Sequence, residues 1–137
     1  MTSSTVPSLI VIDSNVWVSA LVFGGIPRRV FELVIEQGIS IAASEAIFTE
    51  VRRILHQKFP DFIDDFEALL VALSANLRVV SLGEITVQAS RDPDDNAVIE
   101  TALKGHASFV ISGDKDLLVL KEYLSVSFLT PTEFCKK

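Results

Sequence analysis

The sequence predicts a three-layer α/β/α domain built on a central parallel sheet of about five strands. Three observations carry that prediction. Short apolar runs alternate along the chain with longer stretches of helical periodicity, the pattern of strand–helix–strand units. The first and fourth runs are almost wholly apolar, as strands covered on both faces must be. Glycines and prolines punctuate the joints.

In chain order, Ser8-Leu9-Ile10-Val11-Ile12 reads as a buried first strand. A helix follows over Asn15–Val22 and breaks at Phe23-Gly24-Gly25. Pro27 suits the first turn of the next helix, Arg28–Gln37, which Gly38 stops. Ile39–Ala42 is a short second strand, and Ser44 is a good N-cap for a helix to about Lys58. Pro60 opens a further helix through about Ala75, and Leu77–Val80 reads as the third strand. Asp92-Pro93 starts a helix that ends near Gly105. Ala107–Ile111 is the fourth strand, Lys115–Lys121 a short helix and Val126–Leu129 the fifth strand.

A length of 137 residues fits one domain, spanning 1–137. With 49% hydrophobic and 22% charged residues the chain buries a proper core, which excludes intrinsic disorder. Cys135 is the only cysteine, so there is no disulfide framework. The net charge of -6 argues against gripping nucleic acid by bulk positive charge. The most apolar stretches, Leu9–Ile12 and Ala68–Leu73, fall far short of the roughly 20 residues a bilayer needs. Met1–Pro7 has no basic start and does not read as a signal peptide. The expectation is a soluble cytoplasmic protein with no membrane partner.

The placement of the acids is the most informative feature. Asp13 follows the first strand directly, and Asp114 and Asp116 follow the fourth. In open parallel sheets, ligands bind outside the carboxyl ends of the strands. Helix capping would explain one such Asp; two, on two buried strands, favour function. Glu50 borders the apolar stripe Ile47-Val51-Ile54-Leu55, where a carboxylate is costly without a partner. In Arg91-Asp92-Pro93-Asp94-Asp95-Asn96, Asp92 reads as an N-cap and Asp94 as solvated. Asp95 shares a face with Val98, Ile99 and Ala102 and points inward. Clustered carboxylates repel one another unless a hard divalent cation joins them, and Mg²⁺ or Mn²⁺ prefers oxygen ligands. His56, His106 and Cys135 have no zinc-ligand spacing, and Phe23-Gly24-Gly25-Ile26-Pro27 fits no phosphate-cradling glycine loop.

Four pieces together resemble a PIN-domain ribonuclease, and among these the bacterial toxin components of toxin–antitoxin systems related to the VapC type. They are Val11-Ile12-Asp13-Ser14-Asn15-Val16, the helix Ser44–Ile54 with Glu50, Arg91-Asp92-Pro93-Asp94-Asp95-Asn96, and Val110-Ile111-Ser112-Gly113-Asp114-Lys115-Asp116-Leu117. The resemblance implies Mg²⁺- or Mn²⁺-dependent hydrolysis of RNA phosphodiester bonds. It places the catalytic acids on Asp13, Glu50, Asp95, Asp114 and Asp116, with Asp13, Asp95 and Asp114 on the metal, and Asn15 and Ser112 in support. It implies the strand order 3-2-1-4-5, whose switch point lies between Asp13 and Asp114. The partners it implies are an RNA substrate and a cognate antitoxin protein. A homodimer is also expected. The helices Arg28–Gln37 and Asp61–Ala75 are candidate surfaces for either protein contact. Arg28, Arg29, Arg52, Arg53, Lys58 and Lys115 are candidate RNA-phosphate contacts. If the five acids share one crevice, the rest of the chain is close to neutral, and affinity for RNA should depend on metal.

Two other readings compete. A haloacid-dehalogenase-like phosphatase also has an Asp after its first strand and a late Gly-Asp, as in Gly113-Asp114, but wants a second Asp where Asn15 stands. A receiver-like signalling module has an acidic Mg²⁺ pocket, but wants its phosphorylated Asp after the third strand, where Ser81-Leu82-Gly83 stands.

Overall fold

The computed structural model describes residues 9–136. Ser8 of the expected first strand and the Met1–Pro7 segment lie outside them. The strands are β1 (Leu9–Ile12), β2 (Ser40–Ala43), β3 (Leu77–Val79), β4 (Phe109–Ile111), β5 (Glu122–Tyr123) and β6 (Val126–Leu129). The helices are α1 (Ser14–Val22), α2 (Gly25–Gln37), α3 (Glu45–Lys58), α4 (Ile63–Ala72), α5 (Pro93–Gly105), α6 (Lys115–Leu118) and α7 (Pro131–Cys135), with a 3-10 turn over Pro60–Phe62.

The sheet runs β3-β2-β1-β4-β6-β5 with helices flanking it. Every pairing is parallel except β5 with β6. The expected order is therefore present, with Val126–Leu129 as the fifth parallel strand. Among the described residues there are six strands rather than five. Glu122–Tyr123, the extra one, is too short to show a strand period, and it forms because Lys121 and Leu124 take left-handed φ values of 58° and 54° around it. The register sets Ile12 beside Ile111 and Ile111 beside Leu129, so the residues after β1 and β4 emerge side by side at one edge.

Several boundaries move for physical reasons. Helix α2 begins at Gly25, not Arg28, because Gly24 adopts φ 72° and ψ -132°, a turn open to glycine alone. Ser44 sits at the N-cap of α3 but makes no capping bond. Its hydroxyl pairs instead with Thr101 Oγ1 at 2.9 Å. Thr101 already donates to the Ala97 carbonyl at 2.7 Å, so Ser44 is the donor. Helix α5 does end at Gly105, but His106 takes the left-handed cap position. Gly105 is required by packing: a Cβ there would stand 2.7 Å from Ala42 Cβ on β2. The Pro60 helix splits into the 3-10 turn and α4, and α4 stops at Ala72.

The core has an aromatic centre. Trp17 is fully buried and donates its Nε1–H to the Ile12 carbonyl at 3.0 Å. Its ring packs on Phe31, Phe48 and Phe66 with centroids 4.7, 6.1 and 5.7 Å away, tying α1 to α2, α3 and α4. That cluster lies four residues past Asp13 in the chain and holds the start of α1 rigidly against the sheet edge. The Phe59, Phe62 and Phe66 stripe is core: Phe66 is fully buried and the other two pack against it.

Candidate metal centre

Asp13 ends β1 and caps α1, only 3% exposed. Its Oδ1 accepts the Ser14 backbone N–H at 2.8 Å, and its Oδ2 accepts the Ser112 hydroxyl at 2.7 Å. Ser112 Oγ in turn accepts the Asp114 N–H at 2.9 Å. This relay locks the turn after β4 to the end of β1 and fixes the rotamer of Asp13. Asp114 caps α6 by accepting the Asp116 N–H at 2.9 Å. For both aspartates, capping and a place at the strand edge are the same geometry, so the two readings do not compete.

Asp95 sits in the first turn of α5, 4% exposed and facing inward as its spacing predicts. Ser90 donates its hydroxyl to Asp95 Oδ2 at 3.1 Å. Asn96 clamps Ser90 from both sides, accepting its N–H at 2.8 Å and donating to its carbonyl at 2.8 Å. One oxygen each from Asp95, Asp114 and Asp116 lie within 4.8 Å of one another, a buried, a half-buried and an exposed carboxylate. Glu50 is half-buried on α3, hydrogen-bonded by the Ser14 hydroxyl and paired with Arg53 at 3.2 Å.

The electrostatics bind these groups into one centre. Burial pushes the Asp95 carboxyl up to about 7, with the nearby Asp114, Asp92 and Asp13 adding to the rise and the Ser90 bond opposing it. Burial also lifts Glu50 to about 7, helped by Asp94 and Asp13 and opposed by Ser14. Asp13 is raised by burial against the pull of Ser112 and Ser14, with Asp114 raising it further. Burial is the larger cause for each acid, and the neighbours' charge adds a part that a shared cation would oppose. The donor set consists of carboxylates, hydroxyls and backbone groups; His106 caps α5 and Cys135 lies in α7. Hard oxygen donors of this kind fit Mg²⁺ or Mn²⁺ and do not fit zinc.

The supporting residues divide. Ser112 is central to the relay. Asn15 Oδ1 meets the Gly113 N–H only at 3.5 Å, a long contact across the two turns. Lys115 is exposed between Asp114 and Asp116. Arg28, Arg29 and Arg52 are paired elsewhere: Arg28 with Glu32, Arg29 with Glu32 and Glu36, Arg52 with Glu67 and Glu45. Sequence reasoning passed over Ser14, Ser90 and Asn96. Ser14 lies beside Asp13, and Ser90 and Asn96 flank the Asp95 segment, so adjacency to the predicted acids was the available signal. Asp94 is solvent-exposed as expected, yet it also pairs with Arg53 at 3.4 Å beside Glu50.

The acids line the carboxyl edge of a parallel sheet at its switch point, the place where open α/β domains bind their ligands. The chain belongs to the PIN domain family: the family model matches residues 9–116, and PIN domains are generally nucleases. No curated protein sequence matches. Among solved structures, one chain of VapBC2 from Rickettsia felis, crystallised bound to a DNA fragment from their promoter, superposes with a TM-score of 0.62. That match covers 89% of this chain and 98% of the other at 12% identity, a likeness of fold.

Proposed function

We propose that this PIN domain is a Mg²⁺- or Mn²⁺-dependent endoribonuclease, the toxin of a toxin–antitoxin pair. The observation that carries the reading is the meeting of Asp95, Asp114 and Asp116 within 4.8 Å, beside Asp13 and Glu50. Asp95, Asp114 and Asp116 would hold the cation, with Asp13 adding its charge from the buried side. A divalent cation bound there supplies positive charge to the phosphate and lowers the pKa of a bound water. The residues of the chain do the rest. Ser112 and the Ser14 N–H hold Asp13 in one orientation. Ser90 orients Asp95, and Ser14 links Glu50 to the same edge. The N-terminus of α5 aims its dipole at the crevice and favours anions there. The family assignment displaces the phosphatase and receiver readings.

The toxin part of the proposal is supported by the fold shared with a VapBC2 chain. An apolar groove of about 540 Å³, lined by Leu21, Phe31, Ile35 and Leu69 with Arg28 and Asp65, offers the antitoxin, or the other half of a homodimer, a seat on α1, α2 and α4. Among the described residues no helix is long and apolar enough to cross a membrane.

The test is cleavage of single-stranded RNA by purified protein with Mg²⁺ or Mn²⁺, and with EDTA. Wild-type cleavage should appear with metal and vanish in EDTA. Asp13→Asn and Asp95→Asn should abolish it while circular dichroism stays native. Cleavage at the wild-type rate by both variants would overturn the reading. Co-purification with the product of the adjacent gene tests the antitoxin.

A further inference from the structure

We infer that Arg53 is the side chain that receives an RNA phosphate at this site, a part that sequence alone left spread over Arg28, Arg29, Arg52, Arg53, Lys58 and Lys115. The inference rests on the ribonuclease reading above. Four of the other five arginines have guanidinium groups engaged away from the crevice acids. Arg52 spends Nε and Nη2 on a two-pronged pairing with Glu67 at 2.8 and 3.1 Å, and lies 5.5 Å from the Phe66 ring centroid. Arg29 is tied along its own helix to Glu36 at 2.9 Å and Glu32 at 3.4 Å. Arg28 lines the apolar groove with Ala20 and Leu21, at the end of α1 away from Asp13. Arg78 bonds the Ala75 and Leu77 carbonyls.

Arg53 is different on each count. It bonds the acids of the crevice itself, Glu50 at 3.2 Å and Asp94 at 3.4 Å, and both contacts use one nitrogen, Nη2. Among the described residues no group bonds its Nε or Nη1. Its side chain is 50% exposed, so half of it is open to solvent beside Glu50. The two acids thus act as an anchor: they place the guanidinium through Nη2 and leave Nε and Nη1 unused. A planar, permanently charged group held in place with free N–H donors is well suited to a phosphate oxygen. Lys115 sits in an exposed turn of α6 without such an anchor. Asp94, which looks like an ordinary solvated residue, is on this account part of the phosphate-binding arm.

The experiment compares wild type, Arg53→Gln, Arg53→Lys and Asp94→Asn with a single-stranded RNA across a salt series in Mn²⁺. Mn²⁺ binding without RNA is measured in parallel by calorimetry. Arg53→Gln should raise KM by roughly tenfold, the scale of one charge-assisted bond, with kcat changed far less. The slope of log KM against log salt should fall by about 0.7, one phosphate contact on a single strand. Arg53→Lys should restore the slope and only part of KM. Asp94→Asn, which loosens the anchor, should raise KM less than Arg53→Gln. Mn²⁺ affinity should stay near wild type in all variants. An unchanged KM and salt slope in Arg53→Gln overturns the inference. So does a change in Mn²⁺ affinity with an unchanged slope, which would make Arg53 only a counter-charge for Glu50. If Arg53→Gln fails to fold, Arg53→Lys against Asp94→Asn still decides, because a mere counter-charge moves neither KM nor slope. A wild type that neither binds nor cuts RNA removes the ribonuclease reading instead, and is read before any variant.

Discussion

Helix α5 carries two buried carboxylates five residues apart, Asp95 and Glu100, each 4% exposed. They behave in opposite ways. Asp95 is pushed up to about 7 by burial and by neighbouring acids, with one hydroxyl, from Ser90, to satisfy it. Burial pushes Glu100 up too, but the Thr86 and Val87 N–H groups, Lys104 and the Thr86 hydroxyl outweigh it and leave Glu100 below the usual glutamate range. The two N–H groups donate to the same Oε1 at 3.1 Å each. Glu100 is electrically complete and staples the segment between β3 and α5 to the helix. Asp95 has only the Ser90 hydroxyl, and under the proposed function a cation supplies the rest. Burial by itself therefore does not single out an acid for the proposed site; burial among other acids is what distinguishes Asp95 from Glu100.

The largest expected effect follows from removing each charge. Asp95→Asn should abolish metal-dependent cleavage, by more than the roughly hundredfold that loss of an outer partner costs, and leave the metal-free fold as stable or more so. Glu100→Gln should do the reverse. Two backbone donors lose a charged acceptor, so stability should drop by about 1–3 kcal/mol, while the acids of the crevice keep their places. Thermal melts and cleavage rates on both proteins check this. If Glu100→Gln lost cleavage as completely as Asp95→Asn without loss of stability, the comparison would fail.

Acidity separates the pair again. For Asp95 and Glu50 the folded pKa, about 7, lies above the ordinary values of 3.8 and 4.5. Between those limits the folded state holds protons the unfolded chain has released, so their contribution to stability falls as pH rises from about 4 to 7 and then levels off. Glu100 has the opposite sign: its contribution is present above the ordinary value of 4.5 and is lost as pH falls through its lower folded pKa. In EDTA, melts between pH 4 and 7 should show a downward trend that Asp95→Asn flattens and Glu100→Gln does not. Mn²⁺ should raise the high-pH end most, because it binds the ionised carboxylates. A trend equally steep in Asp95→Asn would show that Asp95 does not hold its proton there.

A smaller effect probes how Asp95 is aimed. Ser90→Ala removes the hydroxyl from Oδ2 and leaves the Asn96 clamp on the Ser90 backbone intact. Mn²⁺ affinity should weaken about tenfold, as for other outer partners of metal ligands, with about 1 kcal/mol lost in stability. Calorimetric titration reads the first and a melt the second. Unchanged Mn²⁺ affinity would show that Asp95 needs no help from the loop.

The sequence made the site's acids legible because each sits at a position fixed by local rules. Asp13 and Asp114 follow apolar strands, and Asp95 shares its helical face with Val98, Ile99 and Ala102. The order of the parallel strands came with the resemblance, and the structure has it. What could not be read depends on contacts between segments far apart in the chain. Ser44 looks like a cap, and only the arrival of Thr101 turns its hydroxyl away. Gly105 looks like a helix stop, and only the 2.7 Å approach to Ala42 shows its use. Arg52 and Arg53 are indistinguishable neighbours until Glu67 lies beside one and Asp94 beside the other. Glu100 drew no notice because its partners, Thr86 and Val87, sit in a segment without any period.

The smallest expected effect is the sharpest check on why Glu100 is complete. Lys104 lies 3.7 Å from Glu100, one turn along α5, and also donates to the Leu82 carbonyl. Its side chain is 37% exposed, so water screens the pair, and partly exposed ion pairs contribute about 1 kcal/mol or less. The backbone N–H groups of Thr86 and Val87 are part-buried or buried and have no such screening. Lys104→Gln should therefore lower the melting temperature only slightly, well short of Glu100→Gln, and leave cleavage and Mn²⁺ affinity as they are. A loss equal to that of Glu100→Gln would mean that the Lys104 cation, rather than the backbone, holds Glu100. Asp95 and Glu100 would then differ only in which cation completes them, a lysine from the next turn or a metal ion from solution.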